Sequence, residues 1–282
     1  MKIERSDLAL LRTLELGIDP TRKIPDRVLK LKEAGIIESF GLRLFLPLLL
    51  GGRWFFIIFR ISGANSEIVN TFDFPIEIGI NRSIPDGKLP DLTISLFTQD
   101  PEKEEAILRE RRPGYFEKKI LNEYDFPIAL PLSSEETEIL KVMFDDPLTP
   151  INSIATRLSL SPSVVRSKLS KLLLDVNQKG IISIVPSINW TKIKSMLHLH
   201  IGIETGLNDN MLKERLVDVG LDSAGWYRGT IHQLEFDLWE PKELITVIDK
   251  IVKIKDIKLV GLLIALRSVV IDHWIRPLIE KI

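Results

Sequence analysis

The chain has 282 residues and no cysteine. It therefore has no disulfide, no thiolate nucleophile and no cysteine-ligated zinc site, which is compatible with a reducing compartment. It also lacks a strong net charge, because 38 Lys and Arg are balanced by 39 Asp and Glu. Taken as a whole, the chain has no general electrostatic attraction to nucleic acid or to an acidic membrane surface.

Long uninterrupted apolar runs are absent as well. The two most apolar stretches, residues 42–59 and 257–275, both contain charged residues, and each charge near the centre of a bilayer costs about 2.5–3.5 kcal/mol on insertion scales. We therefore interpret both stretches as buried strands. The N-terminal residues read as an amphipathic helix and not as a signal peptide. These features predict a cytoplasmic protein with no membrane partner.

The sign of the charge alternates along the chain. Residues 1–60 and 132–195 carry net charges of +4 and +2, whereas residues 61–131 and 196–282 carry −5 and −2. Because phosphate binding depends on local positive potential, only the two basic segments are candidates for contact with DNA.

The second basic segment has the pattern of a helix-turn-helix. Residues 133–136 form a capping box that predicts the start of a helix, and residues 151–158 predict a second short helix. A Ser-Pro turn then opens a third helix, residues 163–172, which is rich in Arg and Lys. Three short helices followed by a β-branched run predict a winged helix-turn-helix that binds DNA.

A shortened copy of this pattern lies near the N-terminus. Residues 27–37 resemble residues 166–182, because in both a basic amphipathic helix is followed by a glycine and a β-branched run. The preceding residues 17–25 are too short and too rich in proline for a middle helix. We therefore interpret the first unit as degenerate.

Alternating strands and helices follow each unit. Residues 196–266 predict the order βαββαβ, and residues 54–130 allow a looser version with a helix at 66–72 and a last strand at about 120–130. The predicted fold class is α+β, with two winged helix-turn-helix units, the first degenerate, each followed by a ferredoxin-like βαββαβ domain. The four predicted domains are residues 1–50, 51–131, 132–195 and 196–282.

These motifs resemble the Lrp/AsnC family of archaeal and bacterial regulators, here of the archaeal type and with two units in one chain. The matching residues are 133–140, Ile154-Ala155 and Leu158, 161–172, 180–182, Gly229, 235–238 and the helix from Glu243. The resemblance covers about residues 133–268, and residues 6–130 more weakly. It implies promoter binding through the third helix, dimerisation through the βαββαβ sheet and a small-molecule effector such as an amino acid.

The third helix supplies most of the predicted DNA-binding residues. Val165, Leu169 and Leu172 are spaced to face the core, which turns the other side chains outward. Arg can bind guanine bidentately, Ser can bond to base edges and Lys suits phosphate. The predicted DNA-binding set is Ser161, Ser163, Arg166, Ser167, Ser170, Lys171, Arg157, Lys168, Arg27 and Lys30. The alternative is a solvated basic face, which explains the two N-terminal residues about as well.

Two histidines share a face of the first strand of the 196–282 domain. His198 and His200 could bind a metal ion, but such a site needs three or four ligands and no third ligand lies at a convincing spacing. Paired histidines at a sheet interface explain the spacing better, so neither a metal nor a cofactor is predicted. No Ser-His-Asp order, phosphate-binding glycine loop or paired-carboxylate motif is present either. An enzyme is therefore not expected.

Three functions fit these patterns. The leading prediction is a sequence-specific transcriptional regulator that binds double-stranded DNA, acting as a homodimer or as a pseudo-dimer within the chain. The alternative is an enzyme, because siroheme decarboxylases resemble Lrp/AsnC proteins and occur as paired related subunits. The third is a scaffold that pairs with such regulators without binding DNA.

The first two functions make different demands on the structure. A decarboxylase is expected to have a basic tetrapyrrole pocket, lined by His and Arg at the sheet interface, and to need no basic third helix. The basic third helix and the acidic sheet segments of this chain favour the regulator.

Overall fold

The computed structural model describes residues 3–21, 24–85, 89–111, 113–173, 180–194, 196–221, 225–227 and 231–281. It is a mixed α+β structure built on antiparallel strands, in agreement with the predicted class. Within these residues no helix is long and apolar enough to cross a membrane. The longest described helices have 12 residues, whereas a membrane span requires about 20.

The first half of the chain begins with two helices and continues with five strands. Its elements are α1 (Arg5–Leu16), α2 (Asp26–Glu33), β1 (Ile37–Leu44), α3 (Leu46–Leu50), β2 (Gly52–Ile61), a 3-10 helix (Ser66–Thr71), β3 (Pro75–Ile84), β4 (Leu92–Thr98), α4 (Pro101–Glu110) and β5 (Phe116–Phe126). The described residues between α1 and α2 form no further helix, which fits the degenerate first unit.

The second half begins with three helices and also contains five strands. Its elements are α5 (Ser134–Asp145), α6 (Ile151–Leu158), α7 (Pro162–Leu172), β6 (Ile182–Asn189), a 3-10 turn (Trp190–Lys192), β7 (Leu197–Thr205), α8 (Asp209–Asp218), β8 (Gly225–Tyr227), β9 (His232–Leu238), α9 (Pro241–Ile251), β10 (Ile257–Val270) and α10 (Ile275–Ile279).

Side-chain caps fix where α5 and α7 start. Ser133 accepts a hydrogen bond from the backbone N–H of Glu136, and its own N–H donates to the Glu136 carboxylate, which completes the predicted capping box. Ser161 accepts a backbone N–H bond at the start of α7, where a proline occupies the first turn. The apolar side of α7 is buried, as its spacing predicts, through Val165, Leu169 and Leu172.

Ten strands form one sheet, and eight of them follow the order β5-β2-β4-β3-β10-β7-β9-β8. The first four-strand set consists of β2, β3, β4 and β5, and the second consists of β7, β8, β9 and β10. In each set the strands lie side by side in the order fourth, first, third, second. The strands β3 and β10 pair antiparallel, so the two halves join edge to edge within the chain. The remaining strands, β1 and β6, pair with each other, and β6 also pairs with β10.

The apolar core is shared between the halves. One cluster of buried side chains includes Leu11 of α1 and Leu42 of β1 as well as Ile154 of α6 and Leu169 of α7. Each four-strand set also has a smaller cluster of its own, formed with its helices. The three-helix unit α5–α7 is therefore packed against the first half of the chain.

The junction between the halves includes a very close approach at Gly261 of β10. A Cβ atom at this position would lie 2.5 Å from the carbonyl oxygen of Ile84 on β3. Any other side chain would force the two strands apart, so the contact requires glycine.

Two elements of the first half differ from their predictions. The helix predicted at residues 66–72 is the 3-10 helix Ser66–Thr71, because Ser, Asn, Thr and β-branched residues are poor α-helix formers. The strand predicted at about residues 120–130 is β5 and lies earlier. It ends at Phe126 because the next residue, Pro127, has no N–H to donate. The division into four domains remains a prediction.

Candidate functional site

A cavity of about 320 Å³ lies where the two halves meet. This central cavity has walls from α1 and β1 and from strands of both four-strand sets, and its size is within the range of small-molecule sites, about 300–1,000 Å³. Its titratable lining residues are Arg12, Arg43, Arg60, Arg267, Glu15, Glu77, Glu235, His198 and His200.

Strand register brings the two histidines of β7 together with two acids of β9. His198 lies opposite Asp237, and His200 lies opposite Glu235. The distance from Nδ1 of His198 to Oδ1 of Asp237 is 2.7 Å, and the two histidine Nε2 atoms are 3.4 Å apart. The distance from Nε2 of His198 to Oε1 of Glu235 is 3.6 Å. We call His198, His200 and Glu235 the histidine cluster.

Burial sets the protonation of His200. Burial, and secondly the neighbouring His198, lowers the pKa of His200 to about 4. Its imidazole is therefore neutral at pH 7, with one donor and one acceptor nitrogen. The indole of Trp190 stacks on His198 with ring centroids 4.4 Å apart, which restricts the rotation of that imidazole.

Arg12 of α1 connects the first half to this cluster. Its guanidinium lies 2.7 Å from the Glu235 carboxylate and 2.6 Å from that of Asp237. Burial alone would raise the pKa of Asp237, but its hydrogen bond with His198 and the charge of Arg12 hold that pKa below its usual value. Asp237 is therefore ionised at neutral pH and fixes the Nδ1 side of His198.

Glu15 lies on the same helix, three residues after Arg12. Its pKa is shifted in the opposite direction to that of Asp237. Burial, and secondly the nearby Glu77, raises the pKa of Glu15 to about 7. At neutral pH a substantial fraction of the Glu15 side chains is therefore protonated and able to donate a proton to a bound molecule.

The other three arginines of the central cavity are each held by a carboxylate. A guanidinium has five N–H donors, more than a single carboxylate can accept. The pairs are Arg43 with Glu77, Arg60 with Glu117 at 3.1 Å, and Arg267 with Glu38 at 3.2 Å.

Two buried donors of the cavity have no hydrogen-bond partner among the described residues. They are Nε of Arg43 and Nε2 of Gln233, and the Gln233 residue as a whole is only 3% exposed. A buried polar group without a partner costs about 1–3 kcal/mol. The two donors therefore favour a ligand that supplies oxygen acceptors.

The predicted recognition helix α7 presents its outward face to solvent. Ser161, Ser163, Arg166, Ser167 and Ser170 are all exposed. This is the arrangement that the spacing of its apolar residues predicts, and it leaves the face accessible to a partner.

The remaining residues of the predicted DNA-binding set mostly form ion pairs within the chain. Lys30 of α2 is exposed, whereas Arg27 pairs with the buried Asp7 of α1. Arg27 therefore has a structural role that the sequence did not predict. The other pairs are Lys168 with Glu135 at 2.9 Å, Lys171 with Glu136 at 2.9 Å and Arg157 with Asp145 at 3.0 Å.

Gln233 and Glu235 line the central cavity and Asp237 contacts His198 and Arg12, but none of the three was among the predicted site residues. Gln233, Glu235 and Asp237 alternate with apolar residues along β9, so the sequence did indicate that they share a face. The sequence did not indicate that this face is the one opposite the histidines. Gly229, which contributed to the resemblance, lies outside the described residues.

No protein-family model matches the chain, and no curated protein matches its sequence. Among solved structures, siroheme decarboxylase NirDL in complex with an iron-uroporphyrin III analogue is similar over 94% of this chain and 92% of that chain, with 15% identity and a TM-score of 0.46. Leucine response regulatory protein LrpA of Mycobacterium tuberculosis covers 50% of this chain and 92% of its own, with 16% identity and a TM-score of 0.28. AsnC of E. coli covers 50% and 93%, with 15% identity and a TM-score of 0.29. With TM-scores below 0.5, none of these matches assigns a function to the chain.

Proposed function

We propose that the chain is an enzyme that removes carboxylate groups from a tetrapyrrole of the siroheme type, with a carboxylate-bearing edge of the substrate in the central cavity. The observation that carries this proposal is the lining of the cavity, to which the two halves contribute two histidines and four arginines at the sheet interface. The histidines and arginines at the sheet interface match the expectation for a siroheme decarboxylase, whereas the three glutamates of the lining, Glu15, Glu77 and Glu235, depart from the basic pocket that was expected. The histidines and arginines favour the alternative over the leading prediction from the sequence.

The donors of the cavity suit a carboxylate-bearing substrate. Nε of Arg43 and Nε2 of Gln233 have no partner among the described residues, and a carboxylate provides two oxygens with about four acceptor sites. A hydrogen bond to a charged group contributes about 1.5–3 kcal/mol. Arg43 and Gln233 are therefore the proposed substrate-binding residues.

The proposed reaction needs no oxidant. The bond between the carboxylate carbon and the adjacent carbon breaks, CO₂ leaves, and the electron pair remains on the substrate, where a proton takes the place of CO₂. The conjugated ring of a tetrapyrrole can delocalise that electron pair. Glu15 is the proposed proton donor, because it lines the cavity and its pKa of about 7 keeps part of it protonated at neutral pH.

The proposal is tested by incubating the purified full chain with siroheme and analysing the tetrapyrroles by mass spectrometry. We expect products that have lost one or more CO₂. The variants Arg43→Ala and Gln233→Leu should each raise KM by at least about tenfold, since one charge-assisted hydrogen bond corresponds to that factor or more. The matched control is Arg53→Ala, which removes an exposed ion pair with Glu123.

Two results would refute the proposed reaction. One is the absence of CO₂ loss from siroheme and from iron-uroporphyrin. The other is a KM that is as little changed in Arg43→Ala and Gln233→Leu as in the control Arg53→Ala.

A second candidate function is transcriptional regulation, and the exposed serine- and arginine-bearing face of α7 favours it. In this case double-stranded DNA is the partner, and the central cavity holds a small-molecule effector. An electrophoretic shift of genomic fragments from around the chain's own gene tests it. The absence of any sequence-dependent shift at low salt would exclude this candidate.

Both candidates share a finer architecture, which we also propose. Each half would be a winged helix-turn-helix unit followed by a ferredoxin-like domain, with the first unit reduced to α1 and α2. The order of helices α5, α6 and α7 supports this for the second half, and the identical strand order of the two four-strand sets supports it for the sheets.

A further inference from the structure

We infer that the histidine cluster is a binding site for a divalent transition-metal ion, with Nε2 of His198, Nε2 of His200 and a carboxylate oxygen of Glu235 as ligands. The sequence alone predicts no metal site, because no third ligand lies near the histidines at a convincing spacing. The strand register supplies that ligand from β9. One donor atom from each of the three residues lies within 4.8 Å of the other two. The inference does not depend on the proposed reaction.

The distances fit a single small ion. Zinc binds imidazole nitrogen and carboxylate oxygen at about 2.0–2.2 Å, and two such ligands at a tetrahedral ion are about 3.4 Å apart. The two Nε2 atoms are 3.4 Å apart, and Nε2 of His198 is 3.6 Å from Oε1 of Glu235. Two of the three distances between ligand atoms therefore match those around one ion, and the third is within 4.8 Å.

The hydrogen bonds on the far side of the two imidazoles orient both Nε2 atoms toward the ion position. Nδ1 of His198 faces the carboxylate of Asp237 at 2.7 Å, and Nδ1 of His200 faces the side-chain oxygen of Gln233 at 3.4 Å. Both of these partners are oxygen atoms that accept hydrogen bonds, so each Nδ1 is placed to donate and each Nε2 points into the cluster. Two ring nitrogens and a carboxylate oxygen then converge there, and these are atom types that bind a divalent transition-metal ion.

The surroundings of the cluster resemble those of protein metal sites in general. Metal-ligating histidines usually donate a hydrogen bond from their other ring N–H to a carboxylate or a carbonyl, and such partners fix the ring orientation. Asp237 and Gln233 can accept these hydrogen bonds here. Arg12 bonds to the Glu235 carboxylate at 2.7 Å, but a carboxylate has about four acceptor sites, so this bond leaves room for a metal. Arg12 would thus orient the third ligand.

The ligand types define the class of ion. Two imidazoles and one carboxylate suit zinc, cobalt(II) or iron(II) and not calcium or magnesium, which prefer oxygen ligands. Three protein ligands leave at least one coordination position for water or for a bound molecule. Because the cluster lines the central cavity, that position is accessible from the cavity.

The test uses the full chain after treatment with a chelator and its removal. We expect calorimetric titration with Zn²⁺ to give one high-affinity ion per chain, and Co²⁺ to give the visible absorption bands of a nitrogen- and oxygen-ligated ion. His200→Ala and Glu235→Gln should abolish this binding, whereas Asp237→Asn should weaken it about 10–100-fold, as is typical for residues that orient a ligand.

The matched control is His273→Ala, because His273 is exposed and is not part of the cluster. It should bind Zn²⁺ and Co²⁺ like the unmodified chain. To exclude misfolding, circular dichroism is recorded for each variant. In addition, the melting temperature of the unmodified chain should rise when Zn²⁺ is added, since an ion that binds only the folded state stabilises it.

Two outcomes would overturn the inference. One is the failure of the unmodified chain to bind either ion above the level of Glu235→Gln. The other is an equal loss of binding in His273→Ala, which would indicate adventitious binding at the surface. Since the titrations with Zn²⁺ and Co²⁺ contain no tetrapyrrole, their outcomes are independent of the decarboxylation assay.

Discussion

At the residue scale, the charged groups of the central cavity share partners and so depend on one another. Arg12 contacts both Glu235 and Asp237, and Asp237 in turn orients His198. Replacing Arg12 leaves the carboxylates of both Glu235 and Asp237 without their arginine, and an uncompensated buried charge is strongly unfavourable. Double-variant cycles within this group should therefore show large non-additive effects.

Glu15 gives this site a pH dependence with a defined sign. Its pKa is about 7 when folded and 4.5 in the reference state, so its stabilising contribution is complete below about pH 4.5 and is lost as the pH rises through 7. Glu15→Gln resembles the protonated acid. We therefore expect the wild-type chain to lose more unfolding free energy between pH 5 and pH 8 than Glu15→Gln does, as measured by urea denaturation with a chelator present.

The charged groups that face Glu15 are Arg12 on its own helix, Glu77 on β3, His198 on β7 and Glu235 on β9. Glu138→Gln on α5 is the control, since that side chain is exposed and should leave the pH dependence unchanged. Equal pH slopes in the wild-type chain and in Glu15→Gln would contradict the prediction.

At the element scale, local sequence was sufficient for the helices of the α5–α7 unit and insufficient for strand pairing. The starts of α5 and α7 were predictable because a cap and its partner lie three residues apart in sequence. The proximity of Glu235 to His200 was not predictable, because the two residues lie on different strands and only the β7–β9 register places them opposite each other. The third helix of the candidate DNA-binding unit was thus anticipated from sequence, and most of the central cavity was not.

The exposed face of α7 allows the two candidate functions to be separated by one substitution. Lys171 of the predicted DNA-binding set pairs with the buried Glu136, so Arg166→Ala alone is a cleaner variant than a change of both residues. In a regulator it should weaken specific DNA binding by about 1–3 kcal/mol, while stability changes by less than about 0.5 kcal/mol. In a decarboxylase it should leave the kinetics unchanged.

Binding is measured at two salt concentrations, and decarboxylation is measured in parallel. Arg215→Ala on α8 is the control, because that residue is exposed on a helix outside the three-helix unit α5–α7. An Arg166→Ala chain that binds DNA as well as the wild-type chain would remove α7 from any DNA-reading role.

At the scale of the whole molecule, β10 is one of the elements that join the two halves, because it pairs with β7 on one side and with β3 on the other. Gly261→Ala should disturb this junction, because the new Cβ would meet the Ile84 carbonyl at 2.5 Å. Overpacking of this kind costs about 1–3 kcal/mol. Urea denaturation should show that loss, and Gly206→Ala, whose Cβ would meet nothing within 4 Å, should be close to neutral. Equal stability of the two variants would contradict a tight junction.

The central cavity is shared between two non-identical halves, and this affects how a bound molecule is oriented in it. The strands β2 and β7 occupy equivalent places in their four-strand sets, yet β7 contributes His198 and His200 to the cavity, whereas β2 contributes Ile58 and Arg60. Two copies of one chain would present the same groups twice, related by a twofold axis. Here a bound molecule meets a different wall at each end, which favours one orientation over its reverse. If the proposed decarboxylation takes place here, we expect the two unlike halves to determine which of several similar side chains of the substrate reacts first.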